Sequence, residues 1–340
     1  MTDQLVVSPT KKNELDSLVL LRGIAVILVC FCHFANPLTS GHFFSKLFEN
    51  FHLYGKYGVH IFFVISGFVI PLSLFYGKYR LRDYPRFLYK RLLRLHPPYL
   101  AALVITLIIV FFSYKVRHIA FPESVPSILK SLVYLHAPAD NPVFWTLLVE
   151  AQYYLLIGLL YSLLMNWPRI ALLVFIPILV LLTQTPIVGN VMLFQYLAFF
   201  LIGTAGFLIY TNNGVRILNF AFLISILAFI AFRYEIPAFI SSFSAIFIIL
   251  TYRRSVPEYL KFPGKISYSI YLLHFPVGVK LINLLKPRID LSYSWMLFIF
   301  TLAIVFIISL LFYKVFEEYS EKLSKKIKYE AFKKQTDPKF

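Results

Sequence analysis

Charge is what this chain has least of. Only 14% of its 340 residues are Asp, Glu, Lys or Arg, and 16 of them are acidic. Soluble domains carry about 25% charged residues. With 59% hydrophobic residues and a mean hydropathy of +0.74, the shortage excludes the two soluble domains that length alone suggests and leaves a polytopic membrane protein. Cysteine is nearly absent as well. Cys30 and Cys32 are the two present; side chains two apart on a helix point in different directions, so no disulfide framework is expected and both read as packing residues. There is no internal repeat, no second soluble domain after the last apolar run, and no set of residues spaced to hold a metal. No cleavable signal peptide is expected, because Arg22 and His33 interrupt the first apolar run and a polar arm of about 16 residues precedes it.

What charge remains is mostly basic, giving a formal +17. Its location argues against nucleic acid as a partner, since the Lys and Arg residues sit between apolar segments, where they set topology. Runs long enough to cross a bilayer fall at about 17–36, 57–77, 97–114, 143–164, 169–184, 189–210, 216–233, 236–252, 266–285 and 293–315. The fold class is therefore all-α, a membrane bundle of about ten helices. With the N-terminus inside, about 23 basic residues fall on the cytoplasmic side and about 9 outside, so both termini are expected in the cytoplasm. The domain layout follows as a cytoplasmic arm 1–16, a membrane domain 17–315 and a basic tail 316–340. One long external loop, 115–142, is broken by Pro122, Pro126, Pro138 and Pro142, with Ser127–Leu135 as a short interfacial helix.

Polar residues inside such a bundle are expensive unless they face protein or water, and so mark function. The first span reads LVLLRGIAVILVCFCHF over Leu18–Phe34. Arg22 and His33 lie eleven positions apart, about three turns, hence on one face and roughly 16 Å apart along the axis. Topology places His33 in the outer half, where the fourth span brings Glu150 and the second brings His60; His274 falls near mid-depth on the ninth. Arg22, Arg91 and Arg94 form a guanidinium layer at the cytoplasmic side, the last two spaced i,i+3 on one helix face. An imidazole can take a proton from a hydroxyl while a carboxylate orients it. Guanidinium forks suit phosphates. The bland readings are topology signals for Arg91 and Arg94, an interface position for His60, and small-residue helix packing for Ser66, Gly67, Ser267 and Ser269.

These residues, taken in order, resemble the acyltransferase-3 family of integral-membrane acyltransferases. The resemblance rests on Arg22-Gly23-Ile24-Ala25 followed by His33, on Gly58-Val59 with Phe62 to Phe68, and on Arg91-x-x-Arg94 with Pro97 and Tyr99. It continues through Trp145-x-Leu147-x-x-Glu150 with Tyr153 and through Ser267 to His274, so it covers nearly the whole chain. It implies transfer of an acyl group, usually acetyl, from cytoplasmic acyl-CoA to a hydroxyl of an extracytoplasmic glycan or glycolipid, in the plasma membrane. By the same resemblance His33 is the catalytic base, with Arg22 and Glu150 in the active site. Arg91 and Arg94 hold the donor's phosphates, and Trp145, Tyr153, Ser269 and His274 contact substrate. No cofactor is bound, acyl-CoA being a substrate. Two positions depart from the family: Val19 and His60 stand where acidic residues are common, and no role passes to Asp16. A transporter or flippase for a lipid-linked sugar or small metabolite is the competing reading, though neither inverted repeats nor paired broken helices support it. A catalytically dead relative is a third, against which the intact Arg22 and His33 speak.

Overall fold

The computed structural model describes residues 16–40 and 43–329. The expected arm 1–16, apart from Asp16, and the tail beyond 329 lie outside the described residues. Among those described there are helices and turns and no strands. We number the main helices α1 Asp16–Ala35, α2 Ser45–Gly55, α3 Gly58–Tyr76, α4 Tyr84–Val116, α5 Val125–Leu132 and α6 Trp145–Asn166. They continue as α7 Pro168–Leu182, α8 Leu193–Tyr210, α9 Arg216–Arg233, α10 Ile236–Thr251, α11 Glu258–Lys265, α12 Ser267–Arg288 and α13 Leu291–Lys326. Among the described residues, eight helical segments are long and apolar enough to cross a membrane, and α7 and α10 are two shorter apolar helices at the places where the fifth and eighth spans were expected. The outward faces stay apolar, as with Val104, Ile108 and Phe112 on α4 and Ile299, Phe300 and Ile307 on α13, which is what a lipid solvent requires.

Close helix approach organises the centre. α3 and α8 touch backbone to backbone: a Cβ on Gly67 would lie 2.0 Å from Phe200 O, and one on Gly203 2.1 Å from Val64 O. Without a hydrophobic force between helices in lipid, small residues are what permits such packing. α1 is clasped on two sides. Gly55 of α2 meets Leu28 O, and Gly264 of α11 meets Val19 O, at Cβ distances of 2.3 and 1.8 Å. Asp16 accepts hydrogen bonds from Val256 N–H (2.8 Å) and Lys261 Nζ (3.2 Å), so its work is to tie α1 to α11.

Several elements differ from expectation for identifiable reasons. α4 starts at Tyr84 rather than near 97, with Pro85 in its first turn, where a missing N–H costs no helix bond; Arg91 and Arg94 are thereby inside the helix. The short helix expected in the loop after α4 is α5, Val125–Leu132, shifted towards the N-terminus of 127–135 because Ser124 caps it by accepting from Ser127 N–H at 3.2 Å. α2 and α11 were not foreseen. The last helix passes 315 through a π turn at Tyr313–Glu317 and continues to Lys326, supported by the i,i+4 pairs Glu318–Lys322 and Glu321–Lys325 at 2.6 and 3.6 Å. The expected boundary at 315 thus falls inside a continuous helix.

The loop after α4 is tied down at two points. Asp140 pairs with Lys280 of α12 at 2.5 Å. Glu123 accepts from Ser127 Oγ, His136 Nε2 and Ala139 N–H at 2.7, 2.9 and 2.8 Å. Burial raises the Glu123 carboxyl, but those hydrogen bonds and the His136 charge outweigh it and hold the group below the ordinary 4.5. Its contribution is therefore complete above that value and disappears as the pH falls through the lowered one. The melting temperature lost on Glu123→Ala should be full at pH 7 and shrink towards pH 3, as read by thermal unfolding of the two proteins side by side.

Candidate active site

Two chambers lie one beyond the other along α1. The first has about 850 Å³ of empty volume and is lined by Arg22, Arg91, Arg94, Glu150, Tyr154 and Tyr268, among others. The second has about 800 Å³ and is lined by His33, Lys56, His60, Trp145 and Tyr196. Val59 and Tyr271 line both and so form the partition. Tyr271 is fixed there because its hydroxyl donates to Val143 O at 2.9 Å and meets Thr146 Oγ1 at 2.7 Å.

The first chamber is a balanced set of charges. Arg91 is 7% exposed, donates from Nη2 to Ser73 Oγ at 2.5 Å and lies beside the Phe87 and Tyr154 rings at 5.5 and 5.8 Å. Its Nε has no partner among the described residues. Arg94 Nη2 pairs with Glu321 Oε1 at 3.3 Å. Glu150 Oε1 accepts from Ser66 Oγ at 3.2 Å and from the Tyr154 hydroxyl. Arg22 sits in the field of Arg94 and of Glu317, Glu321 and Glu150. Three guanidiniums facing three carboxylates can remain charged away from bulk water, and the unfilled donors suit an anionic ligand.

The second chamber is aromatic and nitrogen-rich. The Trp145 and Tyr196 rings pack 4.8 Å apart. His60 lies 4.2 Å from the Phe199 ring, and its buried Nδ1 has no partner among the described residues. His33 projects from the end of α1, its ring centre 5.3 Å from that of His274 and 5.1 Å from that of Phe275. A half-buried imidazole, an aromatic shelf and Lys56 at the wall are parts suited to holding a polar molecule by stacking and taking a proton from it.

A family profile described as "Acyltransferase domain" (Acyl_transf_3) matches residues 15–314. The chain belongs to the acyltransferase-3 family. No curated protein and no solved structure matches it. This acyltransferase-3 protein is thus a multi-pass helical membrane protein of an acyltransferase family, and the lining of both chambers lies within the matched residues, while Glu317 and Glu321, which stand behind the guanidiniums, lie beyond them.

The expected site residues do not all meet. Arg22, Arg91 and Arg94 share the first chamber, and His33 and Trp145 share the second. Glu150, expected beside His33, belongs to the guanidinium chamber instead. It lies five residues below Trp145 on α6, about 7.5 Å along the axis, which carries it past the partition. Tyr153 is fully buried, stacks on Phe200 at 4.1 Å and meets Thr204 Oγ1 at 3.3 Å, so it joins α6 to α8 and does not line either chamber. Ser269 is also fully buried, and its N–H donates to Glu317 Oε2 at 3.0 Å while its hydroxyl donates to the same oxygen. His274 lines neither chamber but backs His33. Sequence reasoning missed Glu317 and Glu321 of this acyltransferase-3 protein. The available signal was that, of the three acids Glu317, Glu318 and Glu321 in this lysine-rich extension, the first and last are spaced i,i+4 and so share one face.

Proposed function

We propose that the protein transfers an acyl group, acetyl in the first instance, from acyl-CoA to a hydroxyl of a glycan or glycolipid. The observation that carries this reading is the pair of chambers meeting at Val59 and Tyr271, with phosphate-binding chemistry in one and a base in the other. Arg91 and Arg94 hold donor phosphates while the thioester arm passes the partition towards His33. His33 accepts the proton of the acceptor hydroxyl, whose oxygen attacks the thioester carbonyl. The C–S bond then breaks, and the imidazolium returns the proton to the departing CoA sulfur. Trp145 and Tyr196 provide the stacking shelf for a sugar ring. The charge distribution supports a cytoplasmic-membrane orientation with the guanidinium chamber facing the cytoplasm and its acyl-CoA.

The test is transfer itself. The full chain in lipid nanodiscs, given radiolabelled acetyl-CoA and octyl glucoside as a glycolipid-like acceptor, should release CoA thiol and yield O-acetylated octyl glucoside by mass spectrometry. Intact acetyl-CoA after prolonged incubation would overturn the proposal, and uptake of a lipid-linked sugar without acetyl-CoA consumption would establish a transporter in its place. Replacing Arg91 and Arg94 together by alanine should raise the KM for acetyl-CoA about tenfold or more, since each hydrogen bond to a charged group contributes about 1.5–3 kcal/mol, while leaving the KM for octyl glucoside unchanged. An unaltered donor KM would reduce both arginines to topology signals.

A further inference from the structure

A hydroxyl-activating histidine works in one tautomer, which a third group normally fixes by accepting its other N–H. Glu150 has the right chemistry, but it faces the guanidinium chamber, where Ser66 and Tyr154 already donate to it. The groups next to the His33 ring are His274 and Phe275. Resting on the acyl-transfer reading above, we propose that His274 is the positioning residue that accepts a hydrogen bond from His33 and sets its tautomer, so that the base is a pair of imidazoles.

The backbone prepares His274 for this. Pro276 has no N–H to give to Leu272 O, and α12 widens into a π turn over His274–Val279. Asn141 Nδ2 reaches Leu272 O from the loop at 3.5 Å. Within the widened turn His274 Nδ1 donates to Tyr271 O at 2.7 Å. A carbonyl oxygen is only an acceptor, so Nδ1 carries the proton and, in the neutral ring, Nε2 carries the lone pair. Nε2 is fully buried and has no hydrogen-bond partner among the described residues. The two ring centres are 5.3 Å apart, about the separation of two imidazoles joined by an N–H···N bond of ordinary length. Rotation of the His33 ring about its Cβ–Cγ bond presents an N–H to that lone pair and leaves the second His33 nitrogen unprotonated towards the chamber. The acceptor proton then arrives on that second nitrogen. His274 stays neutral throughout and stabilises the His33 imidazolium by accepting from it.

Asparagine and glutamine separate this role from packing. His274→Asn places its amide where Nδ1 stood and can still donate to Tyr271 O, but falls short of His33; His274→Gln reaches the Nε2 position with an acceptor oxygen. In the nanodisc assay with acetyl-CoA and octyl glucoside, His274→Asn should lower kcat about a hundredfold with the acetyl-CoA KM unchanged, and His274→Gln should stay within about tenfold of the parent. Histidine ¹⁵N spectra of the same samples should show His33 as one tautomer in the parent and the Gln variant and as a mixture in the Asn variant. Equal losses in both variants, or an unaltered His33 signal in the Asn variant, would overturn the proposal. Because the spectra need no turnover, an inactive parent would count against acyl transfer and leave the tautomer result to decide His274 by itself.

Discussion

Replacing His33 by alanine should give a folded, membrane-inserted protein whose acetyl transfer to octyl glucoside falls by about 10²–10⁴-fold, the range supplied by a positioned general base. Stability should change little. His33 is half-buried on the wall of an open chamber, so the truncation enlarges an existing space rather than opening a cavity in packed core. Acetyl-CoA binding should also persist, because the phosphate-binding groups lie beyond Val59 and Tyr271 in the other chamber. The measurement is a kcat and KM comparison on protein matched for melting temperature. Full activity in the alanine variant would remove His33 from the chemistry.

A large structural effect should come from Gly67→Ala or Gly203→Ala, where two membrane-spanning helices meet. Each new Cβ would meet a backbone carbonyl oxygen, Phe200 O at 2.0 Å or Val64 O at 2.1 Å, and a carbonyl cannot swing aside as a side-chain tip can. α3 and α8 must then separate, at the upper end of the roughly 1–3 kcal/mol usual for overpacking or beyond it. Ser66, which donates to Glu150, precedes Gly67 directly, so separation also disturbs the guanidinium chamber. Gly189→Ala is the control, since a Cβ there meets nothing within 4 Å. The comparison is folded yield and melting temperature in detergent, with a large fall for the first two and none for the third; a Gly203→Ala protein as stable as the control would contradict the close approach.

The helical bundle was legible because lipid demands long apolar runs and because polar groups within them are rare enough to notice. Arg22 and His33 could be placed at two ends of one line from helical geometry alone. Depth was read well along a single helix and poorly between helices. Glu150 was assigned to the layer of His33 from its distance to an inferred helix end, whereas the partition made by Val59 and Tyr271 depends on how α1, α3 and α12 meet. Tyr153 and Ser269 show the same limit: a motif position fixes the residue type but not which face of the helix meets the cavity. Glu317 was missed for another reason. The apolar run ends near 315, and nothing in hydropathy reveals that a π turn carries the helix onward and turns that carboxylate inward.

The order in which the charges of the guanidinium chamber are translated has its own consequence. Arg22, Arg91 and Arg94 leave the ribosome with only Glu150 to answer them, and Glu317 and Glu321, which stand behind the chamber, arrive after every residue that lines it. Without α13 the three guanidiniums would outnumber the one carboxylate left beside them by two charges. A chain trimmed at the family boundary, residue 314, would keep every family motif and still be left with that imbalance. The final helix thus completes the charge balance around the three guanidiniums.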